Sequence, residues 1–162
     1  MATFLSQVIN GLNQASILLI ATMGLVIIFG YMNVTNMAHG SMIMVGGVSA
    51  YVLMEVVGLP FGVAIAGSFL ITALIGMVIE KVIIKKLYSK PTETILATYA
   101  VSLILTELVR LKYPLSQNVH MPLPGAFRIG SVTIPYYNIF VGIFAILILV
   151  FTLFLFRKTT FG

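Results

Sequence analysis

The sequence predicts an all-α integral membrane protein with about five transmembrane helices. Of its 162 residues, 60% are hydrophobic and only 8% are charged, whereas a soluble domain carries about a quarter charged residues. The charges flank long apolar runs, and a run of about 20 apolar residues crosses a bilayer as a helix. Cysteine is absent, which excludes a disulfide framework, a thiolate metal site and a thiol nucleophile.

Each predicted span is an apolar run bounded by polar or turn residues. We expect a single transmembrane domain over residues 1–162 with spans at about 8–29, 41–57, 61–79, 92–111 and 135–156. The proline-containing segment 112–134 is predicted to be an irregular loop with a small hairpin over 128–132. The first ten residues lack the basic region of a signal peptide, so the first run is predicted to remain as a span.

The distribution of basic residues predicts the orientation. Lysines cluster between Lys81 and Lys90, and Arg157 and Lys158 follow the last span. The positive-inside tendency makes these segments cytoplasmic, so loop 112–134 and the N-terminus are expected outside. The basic excess therefore indicates topology and not nucleic-acid binding. Segment 31–40 falls on the cytoplasmic side, either at the surface or as a break within the bilayer that protein must cover.

The polar segment between the first two spans is the most informative stretch. Four hydrogen-bonding side chains precede Gly40 there: Asn33, Thr35, Asn36 and His39. In one interpretation, they belong to an ordinary surface connection whose polar groups are hydrogen-bonded to water. In the other, they form a turn in which the backbone N–H groups at the N-terminus of the second span face a polar solute. Neither histidine has a serine or an acid in a triad or metal-binding spacing. We therefore predict no catalytic residue, no metal and no cofactor.

The fourth span carries a stripe of hydroxyl side chains. They recur at every fourth position, as Thr94, Thr98, Ser102 and Thr106, which places them on one helical face. Each hydroxyl can bond a carbonyl of its own helix, so the stripe is compatible with simple packing as well as with a solute path. Glu107 is an intramembrane carboxylate, which normally faces a cavity or a partner. Arg110 lies one turn on and can pair with it.

The third span opens with small residues at four-residue spacing. Gly58, Gly62 and Ala66 are predicted to form a helix-packing face, because small residues let helix backbones approach closely in lipid. The candidate partner surface for this face consists of small residues in the second span, namely Gly46, Gly47, Ser49 and Ala50.

Two segments resemble a known family. Asn36-Met37-Ala38-His39-Gly40 resembles the Asn-Phe-Ala-His-Gly signature near the start of bacterial permeases for branched-chain amino acids and urea, which are membrane subunits of ABC importers. The segment 91–105, which begins Pro-Thr-Glu-Thr-Ile-Leu-Ala-Thr, is similar to the urea-type branch of that family. The resemblance covers essentially the whole chain.

The resemblance implies the fold of a type II ABC importer permease, of which this chain would be the N-terminal half, in the bacterial cytoplasmic (inner) membrane. The implied partners are ABC ATPase subunits that hydrolyse ATP, a second permease subunit or the missing C-terminal half, and an extracytoplasmic solute-binding protein. Ser41 stands where many relatives have an acid. Since relatives are nearly twice as long, we expect a truncated or split subunit.

The expected function is therefore transport of urea or of branched-chain and other small neutral amino acids. The candidates for the solute path are Asn33, Asn36, His39, Gly40, Thr98, Ser102, Thr106 and Glu107. Two alternatives stay open from the residues alone: a small oligomeric channel for polar solutes, and a membrane scaffold that transports nothing. Dependence on an ATPase distinguishes the importer from a channel with passive flux.

Overall fold

The computed structural model describes residues 2–32, 35–87, 89–113, 125–129 and 132–158. These residues form five long helices: α1 (Ala2–Met32), α2 (His39–Tyr51), α3 (Phe61–Val82), α4 (Pro91–Lys112) and α5 (Tyr136–Lys158). A π-helical turn, Val52–Val56, extends α2, and a 3-10 turn, Ile84–Lys86, follows α3. Five helical segments are long and apolar enough to cross a membrane. The protein is therefore a multi-pass, all-α membrane protein.

The helix ends follow from local sequence. Pro91 begins α4, where its missing N–H costs nothing, and Glu93 in the first turn pairs with Lys90 at 3.0 Å. The α2 extension ends at Gly58, whose φ of +79° suits glycine. The N–H of Leu59 donates to the carbonyl of Leu53 at 2.9 Å, which satisfies a carbonyl at the end of the helix.

The chain divides into two compact units, and one of them contains α2, α3 and α4. Helices α2 and α3 are antiparallel, because Gly46 lies against Thr72 whereas Gly67 lies against Leu53. Helices α2 and α4 run parallel. Met37, just before α2, bonds Thr98, and the ring of Tyr51 meets that of Tyr113 edge-on at 5.9 Å.

The other unit contains α1, α5 and a two-stranded sheet. A Cβ at Gly30 would lie 2.9 Å from the Phe156 ring, and a Cβ at Gly142 would lie 4.0 Å from Ser16 Oγ. The two contacts are separated by the same number of residues on each helix, so α1 and α5 run parallel in one register. Strands β1 (Ala126–Ile129) and β2 (Val132–Pro135) pair antiparallel before α5.

Small and hydroxyl-bearing residues form the buried positions, and large aliphatic and aromatic side chains stay exposed. Ala38, Ala64, Thr94 and Thr98 are among the most buried residues. This arrangement is the reverse of a soluble core, and it is expected where lipid solvates the outer surface and helices associate by close packing.

The predicted elements and the structure differ in detail. The hairpin predicted over 128–132 is confirmed, but its strands are longer and cover 126–129 and 132–135. Lys112 belongs to α4, so 112–134 is not irregular throughout. Gly58 lies before α3 with left-handed backbone, so the prediction that Gly58, Gly62 and Ala66 share one helical face is wrong for Gly58. Residues 114–124 of the predicted loop lie outside the described residues.

Candidate functional site

The segment that precedes α2 is a tight turn organised by Asn36. The side-chain Oδ1 of Asn36 accepts the N–H of Ala38 at 2.9 Å, and its carbonyl accepts the N–H of His39 at 3.2 Å. An asparagine side chain that bonds the backbone two residues on closes such a turn on its own. The Asn36 side chain therefore sets the point at which α2 begins.

Ser41 completes the first turn of α2. Its hydroxyl donates to the carbonyl of Ala38 at 2.8 Å, and the N–H of Met42 donates to the same carbonyl at 3.0 Å. Ala38 and Ser41 are both buried. A carbonyl has two lone pairs, so the Ala38 carbonyl can accept both hydrogen bonds. The Ser41 hydroxyl therefore stabilises this turn, although many relatives were expected to have an acid at this position.

Thr98 of α4 holds the turn in place. Its Oγ1 accepts the backbone N–H of Met37 at 3.2 Å and donates to the carbonyl of Ile95 in its own helix at 3.0 Å. The Thr98 residue is 0% exposed, so water does not compete for the hydroxyl from its side. The structure thus brings together Asn36 and Thr98, two candidates that lie 62 residues apart in the sequence.

The height of this turn follows from the helix registers. Thr98 lies seven residues after Pro91, about 10 Å along α4 at 1.5 Å per residue. Continuing the antiparallel register of α2 and α3 places the turn beside the end of α3 at Lys81, where the basic cluster begins. The turn is therefore level with the charged end of α3, and the first two turns of α4 project beyond it.

The other candidates at the turn are placed differently. His39 is the first residue of α2 and is half-buried. It also takes part in a non-covalent interaction. Gly40 is exposed, and a Cβ there would meet nothing within 4 Å, so packing among the described residues does not require a glycine. Asn33 lies outside the described residues.

The remaining candidates lie farther along α4. The hydroxyl of Thr106 donates to the carbonyl of Ser102 at 2.8 Å, as the local packing interpretation predicts. Glu107 pairs with Arg110 at 3.2 Å, and both side chains are exposed, at 64% and 68%. Glu107 stands nine residues beyond Thr98, so the structure does not bring this carboxylate to the turn.

Thr94 is a structural residue that was in the predicted stripe but not among the site candidates. It is 0% exposed, and its Oγ1 lies 2.7 Å from the carbonyl of Leu87 and 3.0 Å from that of Lys90. The hydroxyl thereby fixes the connection between α3 and α4. Its place in the four-residue repeat is the signal that identifies it.

Helix packing uses glycines other than those predicted in α3. A Cβ at Gly67 would lie 2.7 Å from Leu53, and one at Gly46 would lie 3.3 Å from Thr72, so these two glycines lie at the α2–α3 contact. A Cβ at Gly62 would meet nothing within 4 Å, and Ala66 is exposed. A packing role for Gly62 and Ala66 therefore stays a prediction.

Comparison with known proteins gives one match. The family model described as the permease component of branched-chain amino acid transport systems matches residues 7–162. No curated protein and no solved structure matches the chain.

Proposed function

We propose, since this chain belongs to the family of permease components of branched-chain amino acid transport systems, that it is a membrane-spanning subunit of a bacterial ABC importer in the cytoplasmic membrane. It carries urea or a branched-chain or other small neutral amino acid. Partner ATPase subunits hydrolyse ATP, an extracytoplasmic binding protein delivers the solute, and a second permease subunit or segment completes the path.

The observation that carries this proposal is the bond between the Met37 N–H and Thr98 Oγ1. It joins the turn that contains the family-like motif to the hydroxyl stripe of α4, in a place where Thr98 and Ala38 are buried. Transporters form solute sites from discontinuous helices whose non-helical backbone is covered by protein. A surface connection satisfied by water would not need this interhelical bond.

The polar groups at the turn support a solute without net charge. The described side chains there include an amide at Asn36 and an imidazole at His39, whereas the Glu107 carboxylate is exposed and paired elsewhere. Transfer of an ion to such a site would be costly without an opposite charge. The similarity of 91–105 to the urea-type branch favours urea within this class.

The proposal is tested by uptake into proteoliposomes. The chain is purified with the ATPase and permease subunits encoded beside it, reconstituted with the binding protein, and given radiolabelled urea or leucine with and without ATP. We expect uptake that requires ATP and the ATPases. Passive flux through the chain alone would contradict the importer proposal and support the channel. A stable assembly that shows no flux under any condition would support the scaffold.

A further inference from the structure

An open apolar groove of about 280 Å³ lies between α3 and α4. Both helices pack against α2 and make little contact with each other, so a gap remains between them. Five aliphatic residues line the groove, and none of them belongs to the turn before α2: Leu74, Ile75, Val78, Ile79 and Leu105.

The groove lies within the part of the helices that can cross the membrane. All of its lining residues fall in the candidate spans of α3 and α4, and the side chains of Leu74 and Val78 are 58% and 61% exposed. Lipid chains are the solvent for such a surface. Because these chains are as apolar as leucine, the lining alone does not select one occupant over another.

Exposed lysines follow the groove along α3. Lys81 comes two residues after Ile79, about 3 Å farther along the helix axis, and Lys85 and Lys86 lie in the 3-10 turn that comes next. All three lysines are exposed. None of them forms an ion pair with another residue in the part of the chain that the structure describes.

The acidic residues near these lysines leave an excess of positive charge. Segment 80–93 contains four lysines and two glutamates. Glu93 pairs with Lys90 at 3.0 Å, and Glu80 takes part in another interaction. A cluster of about four basic residues beside a transmembrane helix is typical of a segment that binds anionic lipid headgroups.

We propose that the groove and Lys81, Lys85 and Lys86 form a binding site for one anionic phospholipid. An acyl chain lies in the groove, and the phosphate is bound by the lysines. A phospholipid joins an anionic group to apolar chains in the same order in which α3 presents its lysines and its groove. The orientation predicted from the basic residues places this site in the cytoplasmic leaflet, where anionic lipids attract such clusters.

The charge of the cluster distinguishes this occupant from others. A soluble anion would contact the lysines but not the apolar lining, and a lipid without net charge would occupy the groove but leave the lysines without a counter-charge. Only a molecule with both parts uses the whole site. The inference goes beyond the proposed function, because it concerns a lipid that stays bound to the protein and not the solute that crosses the membrane.

The test is native mass spectrometry of the full chain in a non-ionic detergent, titrated with dioleoyl phosphatidylglycerol. Phosphatidylcholine with the same acyl chains is the comparison probe. We expect one saturable phosphatidylglycerol molecule and weaker binding of phosphatidylcholine. Replacing both lysines of the 3-10 turn, as Lys85→Gln with Lys86→Gln, should lower the phosphatidylglycerol affinity about 25-fold. That is about fivefold for each lysine, the factor that corresponds to about 1 kcal/mol.

A second pair of basic residues is the control for charge. Arg157 and Lys158 are exposed and are predicted to lie on the same side of the membrane, but they belong to the other compact unit and do not line the groove. Arg157→Gln with Lys158→Gln should therefore bind phosphatidylglycerol as wild type does. An equal loss in both double variants would show diffuse attraction to basic residues and would overturn the proposal.

Filling the groove tests the role of the acyl chain. Val78→Trp places a large side chain in the groove and should weaken phosphatidylglycerol binding. Val63 is 53% exposed on the same helix and does not line the groove, so Val63→Trp is the matched control and should bind as wild type does. Unchanged binding in Val78→Trp would contradict the proposal.

Two other occupants would give different results. If glycerol 1-phosphate displaced the lipid at comparable concentration, the headgroup alone would account for binding and the groove would have no part in it. If the chain formed dimers that Val78→Trp dissociates and that exclude the lipid, a second copy would be the occupant. Either result would overturn the proposal.

Discussion

The bond between the turn and α4 can be tested by replacing Thr98 with valine. Valine preserves the branched shape of threonine but removes Oγ1, which accepts the Met37 N–H at 3.2 Å. The carbonyl of Ile95, to which Oγ1 also donates, keeps its helical environment. The Met37 N–H is therefore the group that loses its partner, and the perturbation is specific to the contact between the turn and the helix.

The expected magnitude follows from burial. Because Thr98 is 0% exposed, water does not enter from the α4 side to replace the hydroxyl. Met37 itself is 50% exposed, so its N–H does not incur the full penalty of an unsatisfied buried donor. Interhelical bonds in membranes average about 0.6 and reach about 1.7 kcal/mol. We expect Thr98→Val to lower the free energy of unfolding by about 0.6–1.7 kcal/mol, and Met37 amide exchange to accelerate about 3–20-fold if local opening governs it.

Hydrogen–deuterium exchange of the peptide that contains Met37 measures the effect. Thr98→Ser keeps the hydroxyl and should preserve slow exchange, although it loses a packed methyl group. Thr94→Val is the matched control, because Thr94 is equally buried on the same helix but bonds Leu87 and Lys90 instead. Unchanged exchange at Met37 in Thr98→Val, or equal acceleration in Thr94→Val, would refute the reasoning.

Two further predictions concern packing and charge. Gly67→Ala should destabilise the protein by about 1 kcal/mol relative to Gly62→Ala, because the new Cβ at Gly67 would lie 2.7 Å from Leu53 whereas that at Gly62 meets nothing within 4 Å; equal unfolding curves would contradict this. Glu107→Gln should cost less than about 1 kcal/mol, because the pair with Arg110 is exposed; a larger loss in denaturant titration would show that the pair is structurally important.

The sequence specified part of the site. Asn36 and Thr98 were both identified from their residue types and positions, but the sequence did not indicate that a backbone N–H of Met37 would meet Thr98 Oγ1. That contact depends on the parallel register of α2 and α4, which the four-residue repeat of hydroxyls does not encode. Glu107 was a candidate because it is an intramembrane carboxylate, and its separation from the turn follows from its later position on α4.

A cleft between α1 and α5 shows the same limit. Asn13 and Ser16 of α1 line one cleft with Asn138 of α5 only because the two helices run parallel in one register. Residues far apart in the sequence acquire a common environment through this packing.

The sequence by itself determined that the described part of this protein forms five helices long and apolar enough to cross a membrane, because lipid requires long apolar segments whose backbone groups are bonded within each helix. Its pattern also indicated the permease family. Tertiary structure decided which polar groups meet, which glycines allow close approach and which hydroxyls hold a turn in place. These contacts depend on helix register and direction, because lipid is as apolar as the helix surfaces. Burial of apolar surface therefore does not by itself favour one pair of neighbouring helices over another.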